Sequence, residues 1–176
     1  MLKATAKKQT ITLNWKKIKG ASGYIIYGAP CGKNMTRLAT VTNPKTVKKT
    51  FKKLKKGKYY KYVVVAYKTT AAGNRVISKS KSVHCVTDGG KKGNPTGLTA
   101  PKSLTVKKGK KVKIKAKLKT KKSVATHIAK FRYETSNKKI ATVDKNGNIK
   151  GVKKGTATIY VYSQNGIVKT IKVKVK

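Results

Sequence analysis

Acidic side chains are almost missing: Asp88, Glu134 and Asp144 are the only carboxylates among 176 residues. So few exclude most acid/base catalysis and hard-cation binding, which draw on several oxygens converging at one place. Arginine is scarce too, with Arg37, Arg75 and Arg132 alone, so the planar fork that reads phosphates and bases geometrically is nearly absent. The two cysteines, Cys31 and Cys85, allow at most one disulfide and contain no CxxC spacing. No run of about 18 apolar residues occurs, which excludes a membrane-spanning helix. Nucleophile elbow, P-loop and dinucleotide fingerprints are all absent. The absences predict a non-enzymatic chain without a cofactor, whose function lies in its surfaces.

What is there is lysine. It supplies 43 of the 46 basic residues, for a formal net charge of +43. Such a field attracts polyanions, and it exceeds the net charge of about 2 to 8 that solubility asks of a small domain. Lysine on an outward strand position keeps sheet edges soluble, which accounts for any one of them but not for the excess. The segment from Asp88 to Gly97 holds no apolar side chain except proline and is dense in turn formers. It predicts a linker at residues 89–97 between domains at 1–88 and 98–176. Lysine is divided evenly about it, 19 before, two within and 22 after.

Period-2 alternation dominates, and helical periodicity is nearly absent. From Lys111 to Lys119 every even position is apolar and every odd one lysine, the pattern of a strand with one buried and one solvated face. Ile171 to Lys176 repeats it. Further strands are predicted at 11–15, 23–27, 37–41, 59–67, 80–87, 102–106, 130–135, 141–143, 148–152 and 156–162, and Leu2 onward runs almost directly into the first. Many short strands with Gly and Asn turns predict sandwiches or barrels.

Leu13-x-Trp15, Gly23-Tyr24-Ile25-Ile26-Tyr27 and the run from Leu54 to Ala66 resemble a fibronectin type III module over nearly all of residues 1–88. The resemblance implies that Tyr60 is a corner tyrosine whose hydroxyl ties back to backbone near Leu54; Lys56 replaces a common proline. Leu104-x-Val106-x-x-Gly109, Tyr133 to Asn137, Ile140 to Val152 with its Asn146-Gly147 turn, and Gly155 to Ile159 resemble a group 2 bacterial immunoglobulin-like domain. Tyr133 stands where that family usually has tryptophan. Together these imply an all-β chain of two tandem immunoglobulin-like β-sandwiches, as in stalks, spacers and adhesive units of Gram-positive, clostridial surface proteins. No signal-type segment precedes Leu2, which suggests a piece excised from a longer exported chain.

On the fibronectin template Cys31 and Cys85 lie on strands either side of the sixth, about 10 Å apart, beyond the usual Cα limit of about 7 Å for a disulfide. A bond needs a loop folded over the sheet end; two reduced thiols are the alternative. Zinc held by Cys31, His84 and Cys85 is disfavoured by their spacing. His127 stands alone in the loop 121–129 as a solvated or capping residue. Glu134 is the one candidate acid for a Lys-Asn isopeptide crosslink, but with Tyr133 inward alternation sends Glu134 outward, to pair with a cross-strand lysine.

Taking Tyr24, Ile26, Tyr60, Tyr62, Val64 and Ala66 as inward leaves Ile25, Tyr27, Tyr59, Lys61, Val63, Val65 and Tyr67 outward. So apolar a face predicts a contact site for a neighbouring domain, a copy or a glycan, unless lysine stems and adjoining strands cover it. The densest basic cluster is Lys48, Lys49, Lys52, Lys53, Lys55, Lys56 and Lys58, anchored by Phe51 and Leu54. A second is the turn with Lys107, Lys108, Lys110 and Lys111. Either would grip phosphates or sulfates with salt-sensitive affinity. The expected function is a cell-surface stalk whose lysine coat associates with anionic cell-wall polymers such as teichoic acids. The alternatives are an adhesin for anionic host glycans or matrix and, disfavoured by the shortage of arginine, a nucleic-acid binder.

Overall fold

The computed structural model describes residues 2–176. They divide into two compact units, the first ending at Asn94 and the second comprising Pro95–Lys176. In the first, β1 (Leu2–Lys7), β2 (Thr10–Trp15) and β5 (Lys48–Phe51) form an antiparallel sheet in the order β1-β2-β5. The second sheet of that unit runs β4 (Thr36–Val41), β3 (Gly23–Pro30), β6 (Tyr59–Thr70), β7 (Gly73–Lys79), and β8 (Val83–Val86) also pairs with β6. β7 and β8 are two halves of one interrupted strand, lying against Val65–Thr70 and Tyr59–Tyr62 of β6. Ser80 fills the break, its hydroxyl accepting from Val64 N–H at 3.0 Å.

Alternation places the core as the sequence predicts. Ile11, Leu13 and Trp15 of β2 meet Tyr24 and Ile26 of β3 and Tyr60, Tyr62, Val64 and Ala66 of β6, and burying each large side chain contributes about 1.5–3 kcal/mol. Trp15 meets Tyr24 edge-on with centroids 5.3 Å apart, and Phe51 stacks on Tyr62 at 5.2 Å. Lys55 N–H donates to the Tyr60 hydroxyl at 3.1 Å, the corner tie expected beside Leu54.

The apolar set expected on the outer face of this sheet is largely covered. Val63, Val65 and Tyr67 are buried, at 6%, 6% and 5% exposure, and Ile25, Tyr27 and Tyr59 are half-buried. β6 is an inner strand, with Val63 opposite Tyr27 and Val65 between Ile25 and Lys79. Tyr67 lies across Gly23, where a β-carbon would come 2.5 Å from the tyrosine hydroxyl.

The second unit begins inside the predicted linker. Pro95–Thr99 is a strand, β9, paired with β12 (Lys117–Thr120), and Asn94 is tied back to β8, accepting from Val86 N–H at 2.8 Å and donating to Val86 O at 2.6 Å. Polar composition marks a turn but does not exclude one whose side chains replace a ladder. β10 (Ser103–Val106), β17 (Val168–Val175), β16 (Gly155–Tyr162) and β13 (Arg132–Thr135) form one sheet, with β10 parallel to β17. β11 (Lys111–Lys113), β15 (Asn148–Gly151) and β14 (Ala141–Val143) form another, in that order. The predicted strand 111–119 is thus two strands in different sheets. Alternation survives the break: Ile114, between them, is buried at 3% and donates its N–H to Gly147 O. α1 (Thr126–Ala129) replaces the predicted loop around His127, with Ile128 fully buried beneath it.

Candidate functional site

All seven lysines of the first basic cluster are exposed, while Phe51 and Leu54 are half-buried against the core. They do not form one array. Lys48 and Lys49 lie on β5 opposite Asn14 and Leu13, so by alternation they leave the strand on opposite sides. Lys52, Lys53, Lys55, Lys56 and Lys58 follow in the connection to β6, at one end of the unit. That connection is held from three sides. Tyr60 takes Lys55 N–H; the buried Thr87 hydroxyl donates to Lys55 O at 2.6 Å and accepts from Lys58 N–H at 3.1 Å; Leu54 N–H donates to Gln9 O at 3.0 Å. A fixed loop loses little further entropy when its lysines engage a ligand.

The last bond brings in residues the sequence reading missed. Gln9 sits in the β1–β2 turn beside the exposed Lys7 and Lys8, so these join the end that carries Lys52 to Lys58. More than forty residues separate the two groups in the chain, and only strand pairing reveals the adjacency. Asp88, the one carboxylate of this unit, accepts from Lys8 N–H at 2.7 Å and returns its own N–H to Lys8 O at 3.0 Å. The second cluster occupies the β10–β11 turn, with Lys107, Lys108, Lys110 and Lys111 all exposed and Gly109 at φ +78°. Lys111 stands directly opposite Lys150, a like-charge pair that disfavours the sheet and gathers positive charge at that edge.

The remaining carboxylates are also engaged locally. Asp144 Oδ1 accepts from Asn146 N–H and Asn148 N–H, both at 2.9 Å, and its Oδ2 accepts from the Asn148 side chain at 2.8 Å. The Asn148 side-chain amide, with the Asn148 backbone, holds this carboxyl below the usual carboxylate range. Glu134 points outward as expected, but its ion-pair partner is Arg132, two residues back on the same strand at 3.7 Å, and the cross-strand position holds Tyr160 rather than lysine. Arg132 lies 4.7 Å over the Tyr162 ring.

The cysteines are free thiols, on opposite faces of one sheet. Cys85 pairs with Tyr60 and points into the core, while Cys31 N–H donates to Tyr59 O on the outer side. The expected obstacle was distance; facing is a second one. Cys31 Sγ and His84 Nδ1 meet at 3.4 Å, so the zinc trio reduces to two neighbouring groups with Cys85 behind the sheet. Burial pushes the Cys31 thiol up against the opposing pull of Lys61 and Lys58, and it pushes Cys85 up to about 12. In the native protein a maleimide at neutral pH is expected to label one thiol per chain, Cys31, and two in denaturant. Two labels without denaturant would contradict this burial.

Residues 99–174 match the family described as Bacterial Ig-like domain (group 2). The match takes in nearly all of the second unit. Among solved structures the chain resembles the fn3 domain of human contactin 1, at 15% identity and TM-score 0.43, covering 49% of this chain and 73% of that one. It also resembles the FN5 domain of Drosophila Lar, at 22% identity and TM-score 0.39, covering 51% and 94%. A third is the beta-1,2-glucanase of Parabacteroides distasonis, at 25% identity and TM-score 0.43, covering 50% of this chain and 12% of that one. No curated protein matches the chain. The fibronectin type III arrangement of the first unit is visible in its own strand order, three strands against a sheet built around β3 and β6, and in the Tyr60 tie. Fibronectin type III and immunoglobulin-like domains are typically non-catalytic and typical of extracellular proteins. No helix among the described residues is long and apolar enough to cross a membrane.

Proposed function

We propose that the chain is a non-enzymatic stalk or spacer of a bacterial cell surface whose lysine coat associates with anionic cell-wall polymers. The observation that carries this reading is the contrast in how the two signs of charge are used. Each carboxylate is committed to a turn or a neighbouring guanidinium, whereas every lysine of both clusters projects into solvent. The positive field is therefore uncompensated at the surface and open to a polyanion. Lysine, a compact point charge, suits a flexible polymer of repeating phosphates better than it suits base-edge readout.

The test is binding of the whole chain to immobilised teichoic acid, heparin and mucin across a salt series, beside a variant with the seven lysines of the Lys48–Lys58 segment changed to glutamine. Teichoic acid is expected to bind tightest, to hold at about 0.15 M salt and to weaken in the variant. Preference for mucin or heparin would instead make the chain an adhesin for anionic glycans. Weak binding erased uniformly by salt would leave a charged spacer with no ligand.

A further inference from the structure

We propose that the β1–β2 turn and the β5–β6 connection form a single site for a phosphodiester polymer, with Lys8 and Lys53 as its central contacts. The proposal rests on the polyanion reading above and gives it a place. Among the described residues other than glycine, only Lys8, at φ +53°, and Lys53, at φ +55°, have positive φ. This left-handed region crowds a β-carbon and is ordinarily given to glycine, asparagine or aspartate. Lys8 holds the first position of the two-residue hairpin loop Lys8-Gln9, between Lys7 and Thr10, with positive φ there and not at Gln9; glycine is the usual occupant of that place. The chain uses glycine freely where positive φ is needed elsewhere, at Gly20, Gly32, Gly57, Gly73, Gly109 and other turns. At these two turns it has lysine.

The two positions belong to one place. Gln9, next to Lys8, accepts the N–H of Leu54, next to Lys53. Asp88 grips the Lys8 backbone through two hydrogen bonds, holding a conformation the side chain disfavours. Backbone strain kept in place by its surroundings points to a side chain retained for its own chemistry. For lysine in a turn that chemistry is its charge, and Lys7, Lys52, Lys55 and Lys56 extend the array on either side. Successive phosphates of a flexible chain can be met by ammonium groups from both turns.

The experiment compares Lys8→Gly/Lys53→Gly with Lys19→Gln/Lys45→Gln, which removes as much charge at the opposite end of the unit, in the full chain. Binding to poly(glycerol phosphate) and to heparin is read against salt, with Tm. The glycine variant is expected to keep or raise its Tm, to lose about tenfold in affinity for the phosphodiester polymer, and to lower the salt slope by about 1.4 for two lost contacts. The control pair should change affinity less than about twofold. Equal losses in both variants would overturn the located site and leave polyanion binding by the general field intact. A lower Tm in the glycine variant would overturn the argument from strain, and tighter binding of heparin would overturn the ligand class. A wild-type chain that binds neither polymer would overturn the functional reading itself.

Discussion

Raising the pH from 8 to 11 is expected to erode the stability of the first unit by about 3 kcal/mol through Cys85 alone. The thiol is fully buried among Tyr60, Tyr62 and Val83 on the inner side of β8, and its pKa is raised from 9.0 to about 12, first by burial and then by the Asp88 charge. Below pH 9 both folded and unfolded chains keep the proton, so the thiol costs nothing. Between 9 and 12 the unfolded chain releases it while the folded chain retains it. Stability then falls with rising pH and has lost its full share only above 12. The measurement is a difference: denaturant unfolding of wild type and Cys85→Ala at several pH values. At neutral pH the alanine variant is the less stable because it leaves a small cavity, and by pH 11 the gap should have closed or reversed. Parallel curves would show that the Cys85 thiol is not held protonated by its surroundings. Tyr62 is also pushed up, first by burial and then by Cys85, so it contributes with the same sign in both proteins, and the part it owes to Cys85 adds to the difference.

The charge pattern and the strand pattern were legible at different depths. Alternation fixes which side of a strand meets the core, so Tyr60, Tyr62, Val64 and Ala66 were readable as inward, and so was Ile114, although it lies between two strands. It says nothing of hydrogen-bonding partners, which is why the segment 111–119 read as one strand. β7 gave no apolar signal because it is an exposed edge, with Val76 at 60%; its pairing with β6 makes it a strand. Alternation gives facing but not exposure: Val65 faces away from the core and is buried. Exposed lysines were readable because ammonium groups seek water. Their grouping was not, because the nearness of Lys8 to Lys53 follows from the bond between Gln9 and Leu54.

Gly147 and Gly109 share one backbone angle, φ +78°, and differ in what surrounds them, so they separate strain from crowding within the second unit. A β-carbon on Gly109 meets nothing within 4 Å, whereas on Gly147 it would lie 2.7 Å from Tyr133 Cζ and 2.8 Å from its hydroxyl oxygen. Gly109→Ala should therefore cost about 1–2 kcal/mol, the ordinary penalty of a left-handed alanine. Gly147→Ala adds displacement of the Tyr133 ring, half-buried against the core, for about 1–3 kcal/mol more. Asp144 gives the turn little freedom to yield, since its carboxylate holds both Asn146 and Asn148. The combined loss corresponds to a fall in Tm of about 8–40 °C for a unit of this size. Adding Tyr133→Leu tests the cause: the shorter side chain should recover the excess of Gly147→Ala over Gly109→Ala and leave the shared backbone penalty. If alanine at the two positions costs the same, the ring moves aside freely, and the close fit of Tyr133 over the Asn146-Gly147 turn contributes nothing to specifying this hairpin.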